Sequence, residues 1–260
     1  MAKFLRDRQI KNLSITKTRI KELFDLCNTH AESLVRGGLP ASDLEVKCMI
    51  RFDEKGYTVF NLDELFTLYE HAHEVERLVF TIETRQSLDT NRRFGPFLEL
   101  TLDKTNRFGF LTVSSDDRVW VEAAFSALNE AIVKSVAWYA FVRTVWTELM
   151  LQVSGVAGIF LLSLLAAKHL SPSLAVENSF LIAFLFAFLL AANVWGFLQR
   201  QMHLAIESVF PNVQFVRVGK EHLHWVYQAC VSAIVGLVIA SVIGVTWNVL
   251  LGASRTVFGG

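Results

Sequence analysis

The sequence is poor in cysteine and has no segment that resembles a cleavable leader. Its three cysteines, Cys27, Cys48 and Cys230, are an odd number at scattered positions. This spacing argues against a disulfide framework and fits a reducing compartment for the N-terminal part. The first residues, MAKFLRDRQIKNLS, lack the apolar run of a signal peptide. We therefore expect the N-terminal part of the chain to stay in the cytoplasm.

The motifs of the common catalytic and nucleotide-binding sites are also missing. The sequence contains no P-loop, no dinucleotide fingerprint, no G-x-S-x-G and no H-E-x-x-H. His71 and His73 are two residues apart, as are His222 and His224, whereas zinc-binding histidines on a helix are usually four apart. The formal net charge of zero gives no basis for a nucleic-acid-binding surface. The sequence favours a non-enzymatic protein without a cofactor or metal site.

Charged residues become scarce after residue 148. Five of the 25 Lys and Arg and three of the 25 Asp and Glu lie beyond it. Three stretches, at about 149–167, 180–198 and 226–251, contain no charged residue. Each comes close to or exceeds the about 20 residues that a membrane-spanning helix needs. We predict a transmembrane domain over 136–260 in which these spans form a three-helix bundle.

The first 135 residues have the patterns of a small α+β domain with a mixed or antiparallel sheet. A loose arm over 1–13 is expected to precede a helix from Ser14 to about Arg36. A hairpin with strands at 45–52 and 57–60 follows, and later strands begin near residues 78, 97 and 108. Asn61 and Glu64 have the spacing of a helix capping box.

Two features predict how the halves connect. No Gly or Pro interrupts residues 117–154, so one helix is expected to run from the first domain into the membrane, over 117–167. Between the second and third spans, a strand-like insert lies at 209–224. We predict that its alternating part, residues 213–219, docks on the edge of the N-terminal sheet, because a lone strand is unstable.

Two similar turns carry the candidate partner-binding residues. TNRRFG at 90–95 and TNRFG at 105–109 each place arginine beside Asn and Gly. The arginines concerned are Arg92, Arg93 and Arg107. They would suit an acidic partner, but Asn and Gly at these places also fit plain turns with solvated arginines, which is the interpretation that the sequence favours.

Small residues recur at every fourth position in the spans and predict close helix packing. They are Ser232, Gly236, Ala240 and Gly244 in the third span, Ala183, Ala187 and Ala191 in the second, and Ser154 and Gly158, beside Gly155, in the first. The contacts would be either within one chain or between chains of an oligomer. No ionisable residue lies inside a span, which argues against a proton-coupled transporter or pump.

The distribution of Lys and Arg predicts the orientation of the chain. On one side the spans are flanked by Lys134, Arg143, Arg200, Arg217 and Lys220, and on the other by Lys168, which predicts a cytoplasmic N-terminal domain and an external C-terminus. Arg255 near the C-terminus opposes this orientation weakly. We expect an integral protein of a bacterial inner membrane, in contact with the bilayer, as a homo-oligomer. The layout resembles that of bacterial sensors, auxiliary subunits and membrane effectors of anti-phage defence, in layout alone.

Three functional hypotheses follow. In the first, which the sequence favours, the cytosolic domain binds a protein partner or a signal and couples it to three membrane helices. In the second, the chain is an oligomerising effector that permeabilises the bilayer when triggered. The third and least favoured is a lipid-modifying enzyme that uses polar residues at the membrane interface, with His71, His73, His222 and His224 as its candidates.

Overall fold

The computed structural model describes residues 3–105, 108–174 and 176–216 of the 260-residue chain. The strands are β1 (Phe4–Gln9), β2 (Leu13–Thr16), β3 (Leu44–Phe52), β4 (Lys55–Val59), β5 (Val75–Thr84), β6 (Phe97–Asp103), β7 (Phe110–Ser115) and β8 (Val213–Val216). The helices are α1 (Lys17–Arg36), α2 (Leu62–His71), α3 (Arg85–Asp89), α4 (Arg118–Val133), α5 (Val145–Leu170) and α6 (Ser179–Val209). Short 3₁₀ turns lie at Ala41–Asp43, Trp138–Arg143 and Ser171–Ser173.

Six of the strands form one antiparallel sheet. Its order is β1-β7-β6-β5-β3-β4. Because side chains alternate along a strand, one face carries Leu78, Phe80 and Ile82 of β5 together with their apolar neighbours on β3 and β6. These side chains pack with α1, α2 and α4 in the hydrophobic core. The expected α+β architecture with an antiparallel sheet is confirmed.

The local signals at the hairpin and the second helix are confirmed. Asp53 and Glu54 connect β3 to β4 with φ of 49° and 64°, the left-handed values of a two-residue hairpin turn. Asn61 caps α2 by accepting a hydrogen bond at 2.7 Å from the backbone N–H of Glu64. The first helix starts later than expected, at Lys17 with Thr16 as its N-cap, because Ser14 belongs to β2.

The prediction of a loose N-terminal arm is wrong. Residues 4–9 form β1, an edge strand that pairs antiparallel with β7. Arg6 and Arg8 lie across α4: Arg6 pairs with Glu122 at 2.6 Å and covers the ring of Phe125, and Arg8 bonds to Asn129. The aliphatic stems of the arginines supply the contact that apolar residues supply on the inner strands.

The prediction of one unbroken helix over 117–167 is also wrong. Helix α4 ends at Val133, and α5 begins twelve residues later at Val145. Between them the chain turns toward β2: the N–H of Ala137 donates to the carbonyl of Asn12 at 2.8 Å, and Val136 bridges to Leu13. These backbone bonds outside the helix replace the ones that would have continued α4.

Two helices, α5 and α6, are long and apolar enough to cross a membrane. The segments concerned are Val145–Ser173 and Ser179–Val209, with mean hydropathies of 2.1 and 2.3. They favour a membrane protein and agree with the first two expected spans. The third expected span, 226–251, lies outside the described residues.

The chain divides into two compact units. The first, here the α+β unit, runs to Ala140 and resumes at Pro211. The second runs from Phe141 to Phe210 and contains α5 and α6, here the helix pair. Within the described residues, the chain therefore leaves the α+β unit after Ala140 and re-enters it at Pro211, after the helix pair.

Candidate functional site

The place where the chain leaves and re-enters the α+β unit is held by one buried asparagine. Asn212 is fully buried and follows Pro211, the residue at which the chain returns. Its Nδ2 group donates to the carbonyl oxygens of Ile10, at 3.2 Å, and of Asp103 and Thr105, each at 3.3 Å. Its Oδ1 accepts from the N–H of Asn12 at 3.0 Å. One amide thus bonds to the β1–β2 connection and to the β6–β7 turn.

Backbone bonds extend this contact on both sides of Asn212. Its N–H donates to the carbonyl of Lys104 at 2.9 Å, and its carbonyl accepts from the N–H of Leu13 at 2.8 Å. Beyond it, β8 pairs in parallel with β2, with Leu13 opposite Val213. Farther along, the hydroxyl of Tyr69 on α2 donates to the carbonyl of Val216 at 3.2 Å.

The docking of this segment was predicted, but on the wrong strand. The expectation placed residues 213–219 at the edge of the N-terminal sheet. The structure pairs β8 with β2 in a separate two-stranded sheet. The two edges of the large sheet are β1 and β4, whereas β2 is free to accept a partner because the chain turns away from β1 at Asn12, with φ of 58°.

The outgoing chain is fixed beside the incoming chain. The N–H of Ser14 donates to the carbonyl of Ser135 at 2.8 Å. The hydroxyl of Tyr139, a fully buried residue, donates to the carbonyl of Pro211 at 3.0 Å. We call the four segments 10–14, 103–105, 135–139 and 211–213 the junction. The two places at which the described chain passes between the α+β unit and the helix pair, after Ala140 and before Pro211, adjoin the junction.

Besides the junction, the α+β unit contains a cluster of charged side chains, here the charge cluster, on the sheet face that points away from α1. Glu83 of β5 is buried, with 4% of its side chain exposed, and pairs with Lys47 of β3 at 2.9 Å and with Arg92 at 2.7 Å. Arg92 also pairs with Glu99 of β6. Burial by itself would raise the pKa of Glu83, but the hydrogen bonds and charges of Lys47 and Arg92 outweigh it and lower that pKa.

This cluster shows what the predicted arginine turn does. Asn91 and Arg92 adopt φ of 49° and 62°, and Gly95 adopts 82°, so this is a tight turn as the sequence favoured. It aims the guanidinium of Arg92 at two carboxylates of its own sheet, which balance its charge. Arg93 is exposed, and Arg107 lies outside the described residues. A role of these turns in partner binding stays a prediction.

The cluster predicts a pH dependence of stability. Glu83→Gln is expected to lower the free energy of unfolding at pH 7 by about 1–3 kcal/mol, because a buried hydrogen-bonded charge loses its partners. Because the folded-state pKa is depressed, the stability from ionised Glu83 is present above its unfolded pKa and disappears as the pH falls through the folded value. The two proteins should therefore begin to converge as the pH falls below the ordinary pKa of 4.5 and should converge fully once it is below the depressed folded-state value.

Unfolding midpoints of the full chain in detergent, measured from pH 7 to pH 3, check this. Glu130→Gln is the control, since Glu130 forms only an exposed pair with Lys134 on α4. An equal loss of unfolding free energy in both variants at every pH would contradict the stabilising role of ionised Glu83.

The helix pair brings some of the predicted small residues together. Gly155 is buried, and a Cβ placed there would overlap the indole ring of Trp195. Ala183 is buried as well, whereas Ser154, Gly158, Ala187 and Ala191 are partly exposed. Ser232, Gly236, Ala240 and Gly244 lie outside the described residues, so their packing role stays a prediction.

The histidines of the described residues give no metal-binding arrangement. Within 3–105, 108–174 and 176–216, no three His, Cys, Asp or Glu side chains are placed to share an ion. The Nδ1 of His71 bonds to the carbonyl of Thr67 in its own helix at 2.7 Å. His222 and His224 lie outside the described residues.

The chain was compared with family models, curated protein sequences and solved structures, and none of them matches it.

Proposed function

We propose that the protein is a non-enzymatic integral membrane protein whose cytosolic α+β unit binds a partner or signal and couples it to the membrane helices. The single observation that supports coupling is the junction. The chain goes to the helix pair after Ala140 and comes back at Pro211. Tyr139 beside the first place bonds to Pro211, and Asn212 beside the second bonds to the β6–β7 turn. A displacement of the central strands in the α+β unit would therefore move both links at once.

The hydrogen bonds of the junction support a structural role. They come from an amide, a phenol hydroxyl and backbone groups. None of these is an activated nucleophile or an acid–base pair of the kind that catalysis needs. Buried and fully bonded polar networks specify one arrangement, which suits a mechanical connection between a binding unit and membrane helices.

Membrane potential separates this proposal from the effector hypothesis. A voltage-sensitive dye would report on bacterial cells induced for the full chain and for a chain without residues 1–116. We expect no depolarisation by either, because coupling to a partner does not require an open bilayer path. Depolarisation by the shortened chain alone would contradict the proposal and indicate an effector that the α+β unit restrains.

A labelling control is needed to interpret the result. In cells that express the full chain, a cysteine at exposed Ser173, in the turn after α5, should react with an impermeant maleimide from outside. A cysteine at exposed Ser42, in the α+β unit, should react only after permeabilisation. The same label on Ser173 in the shortened chain shows that it is inserted. The opposite pattern in the full chain would contradict a cytosolic location of the α+β unit.

A further inference from the structure

A groove of about 330 Å³ runs along one flank of the contact between α5 and α6. Ser154, Gly155 and Gly158 line it from α5, and Ala191 and Trp195 line it from α6. Three of the α5 residues along the groove are small, and its lining is almost entirely apolar. In membranes, helices approach most closely where both partners present such residues.

The groove lies at a defined end of the helix pair. Its α5 residues fall between Leu151 and Leu162, in the first part of a helix that starts at Val145. Its α6 residues fall between Ala191 and Met202, in the last part of a helix that ends at Val209. This is the end through which the chain enters and leaves the helix pair. A segment that follows α6 starts from this same end.

The chain contains one segment with the chemistry to fill this groove. Residues 226–251 have no charge and carry Ser232, Gly236, Ala240 and Gly244 at every fourth position. They begin sixteen residues after Phe210, the last residue of the helix pair before the chain returns to the α+β unit.

Ser154 and Ser232 lie at similar distances from the starts of their apolar stretches, which agrees with packing of 226–251 in the groove. Ser154 lies five residues after Leu149, where the first apolar stretch begins, and Ser232 lies six residues after Val226. At about 1.5 Å per residue both serines would be roughly 8–9 Å inside the bilayer. The hydroxyl of Ser154 has no hydrogen-bond partner among the described residues, whereas that of Ser163 on the same helix donates to the carbonyl of Ile159 at 2.7 Å. A second hydroxyl at the same depth supplies a partner.

We propose that residues 226–251 of the same chain pack into the α5–α6 groove, with Ser232 and Gly236 against Ser154 and Gly158. The three segments then form a bundle within one chain. The row of small residues is used internally and is not available to a second copy at this place. This inference does not depend on the proposed coupling function.

Disulfide cross-linking in membranes tests the proposal. Ser154→Cys and Ser232→Cys change one atom each and are combined with Cys230→Ser in the full chain. Cys27 and Cys48 remain, since both are buried and burial raises their pKa, for Cys27 to about 12, which keeps the thiols protonated. A protease site inserted between Ser173 and Asn178 allows the chain to be cut between the two cysteines. A disulfide needs Cα atoms within about 7 Å, so it reports direct packing.

The expected result is a cut chain that stays at full mass on a non-reducing gel, in more than half of the molecules, and separates after reduction. The control replaces Ser154→Cys by Val156→Cys, which lies on the other side of α5 at nearly the same depth and is 57% exposed. Gly158→Cys with Gly236→Cys gives an independent second pair. Cross-linked dimers would show that a second copy fills the groove and would overturn the proposal, as would equal yields at 154 and 156 or no cross-link in either pair.

Discussion

Asn212→Ala is expected to lower the free energy of unfolding of the α+β unit by about 3–5 kcal/mol. The substitution removes the donor to two buried bonds, with the carbonyls of Ile10 and Asp103, and to a part-buried bond with the carbonyl of Thr105. It also removes the acceptor of the Asn12 N–H. Leaving buried backbone groups without partners costs about 1–3 kcal/mol each, and the site allows only partial relaxation. Asn212→Asp should cost still more, because it puts a charge and a second acceptor against carbonyl oxygens of the same polarity.

Hydrogen exchange of the full chain in detergent, followed by mass spectrometry, measures this locally. Protection should fall in peptides from β1, β6 and β7, which the Asn212 side chain connects. Asn193→Ala is the matched control, since the amide of Asn193 bonds only to the carbonyl of Leu189 in its own helix among the described contacts. If the peptides from β1, β6 and β7 exchange equally fast in Asn212→Ala and in Asn193→Ala, the side chain of Asn212 does not stabilise the junction.

Gly155→Ala is expected to push α5 and α6 apart. A Cβ at Gly155 would overlap the rigid indole of Trp195, so either the ring or the helix has to move. Overpacking of this kind costs about 1–3 kcal/mol. Because interaxial distances of packed helices range over about 8–10 Å with the size of the contact residues, we expect a separation of up to about 2 Å.

Spin labels on Val156→Cys and Phe197→Cys, both exposed, would measure the change as a distance distribution in the Cys230→Ser chain. Gly196→Ala is the control, because a Cβ there has no atom within 4 Å among its neighbours. Trp195→Ala in the Gly155→Ala chain should restore the shorter distance. An unchanged distribution in Gly155→Ala, or the same change in Gly196→Ala, would contradict the assigned contact.

The elements that the sequence predicted are those with local causes. The alternation of Leu78, Phe80 and Ile82 can be recognised in the sequence because their face of β5 is buried under helices. The cap of α2 depends on two residues three positions apart, Asn61 and Glu64. Such signals need no knowledge of the rest of the chain.

The failed predictions have long-range causes. Strand β1 has no apolar alternation, because Arg6 and Arg8 contact α4 through their stems and their charges. Helix α4 stops without Gly or Pro, because Ala137 finds a partner in Asn12, far away in sequence. In both cases the deciding contact is invisible until the fold brings the two segments together.

The junction itself was missed for the same reason. An asparagine after a proline is an ordinary turn signal, and Asn212 differs only in what surrounds it. The sequence did indicate that the strand beyond it docks on the α+β unit, because a lone strand has no stability by itself. Which strand would accept it depended on the turn at Asn12, whose positive φ frees β2 from the large sheet.

Because the helix pair interrupts the α+β unit in sequence, the two parts of that unit are synthesised at different times. The side chain of Asn212 contacts the carbonyl of Ile10, 202 positions earlier, across the 70 residues that include the helix pair. At ~5–20 residues per second, a ribosome needs roughly 4–14 s to make those residues. During that interval the nascent α+β unit lacks the amide that bonds its β1–β2 connection to its β6–β7 turn. The contacts of Asn212 can thus form only after both apolar helices have been synthesised, so the α+β unit is completed later than the helix pair that interrupts it.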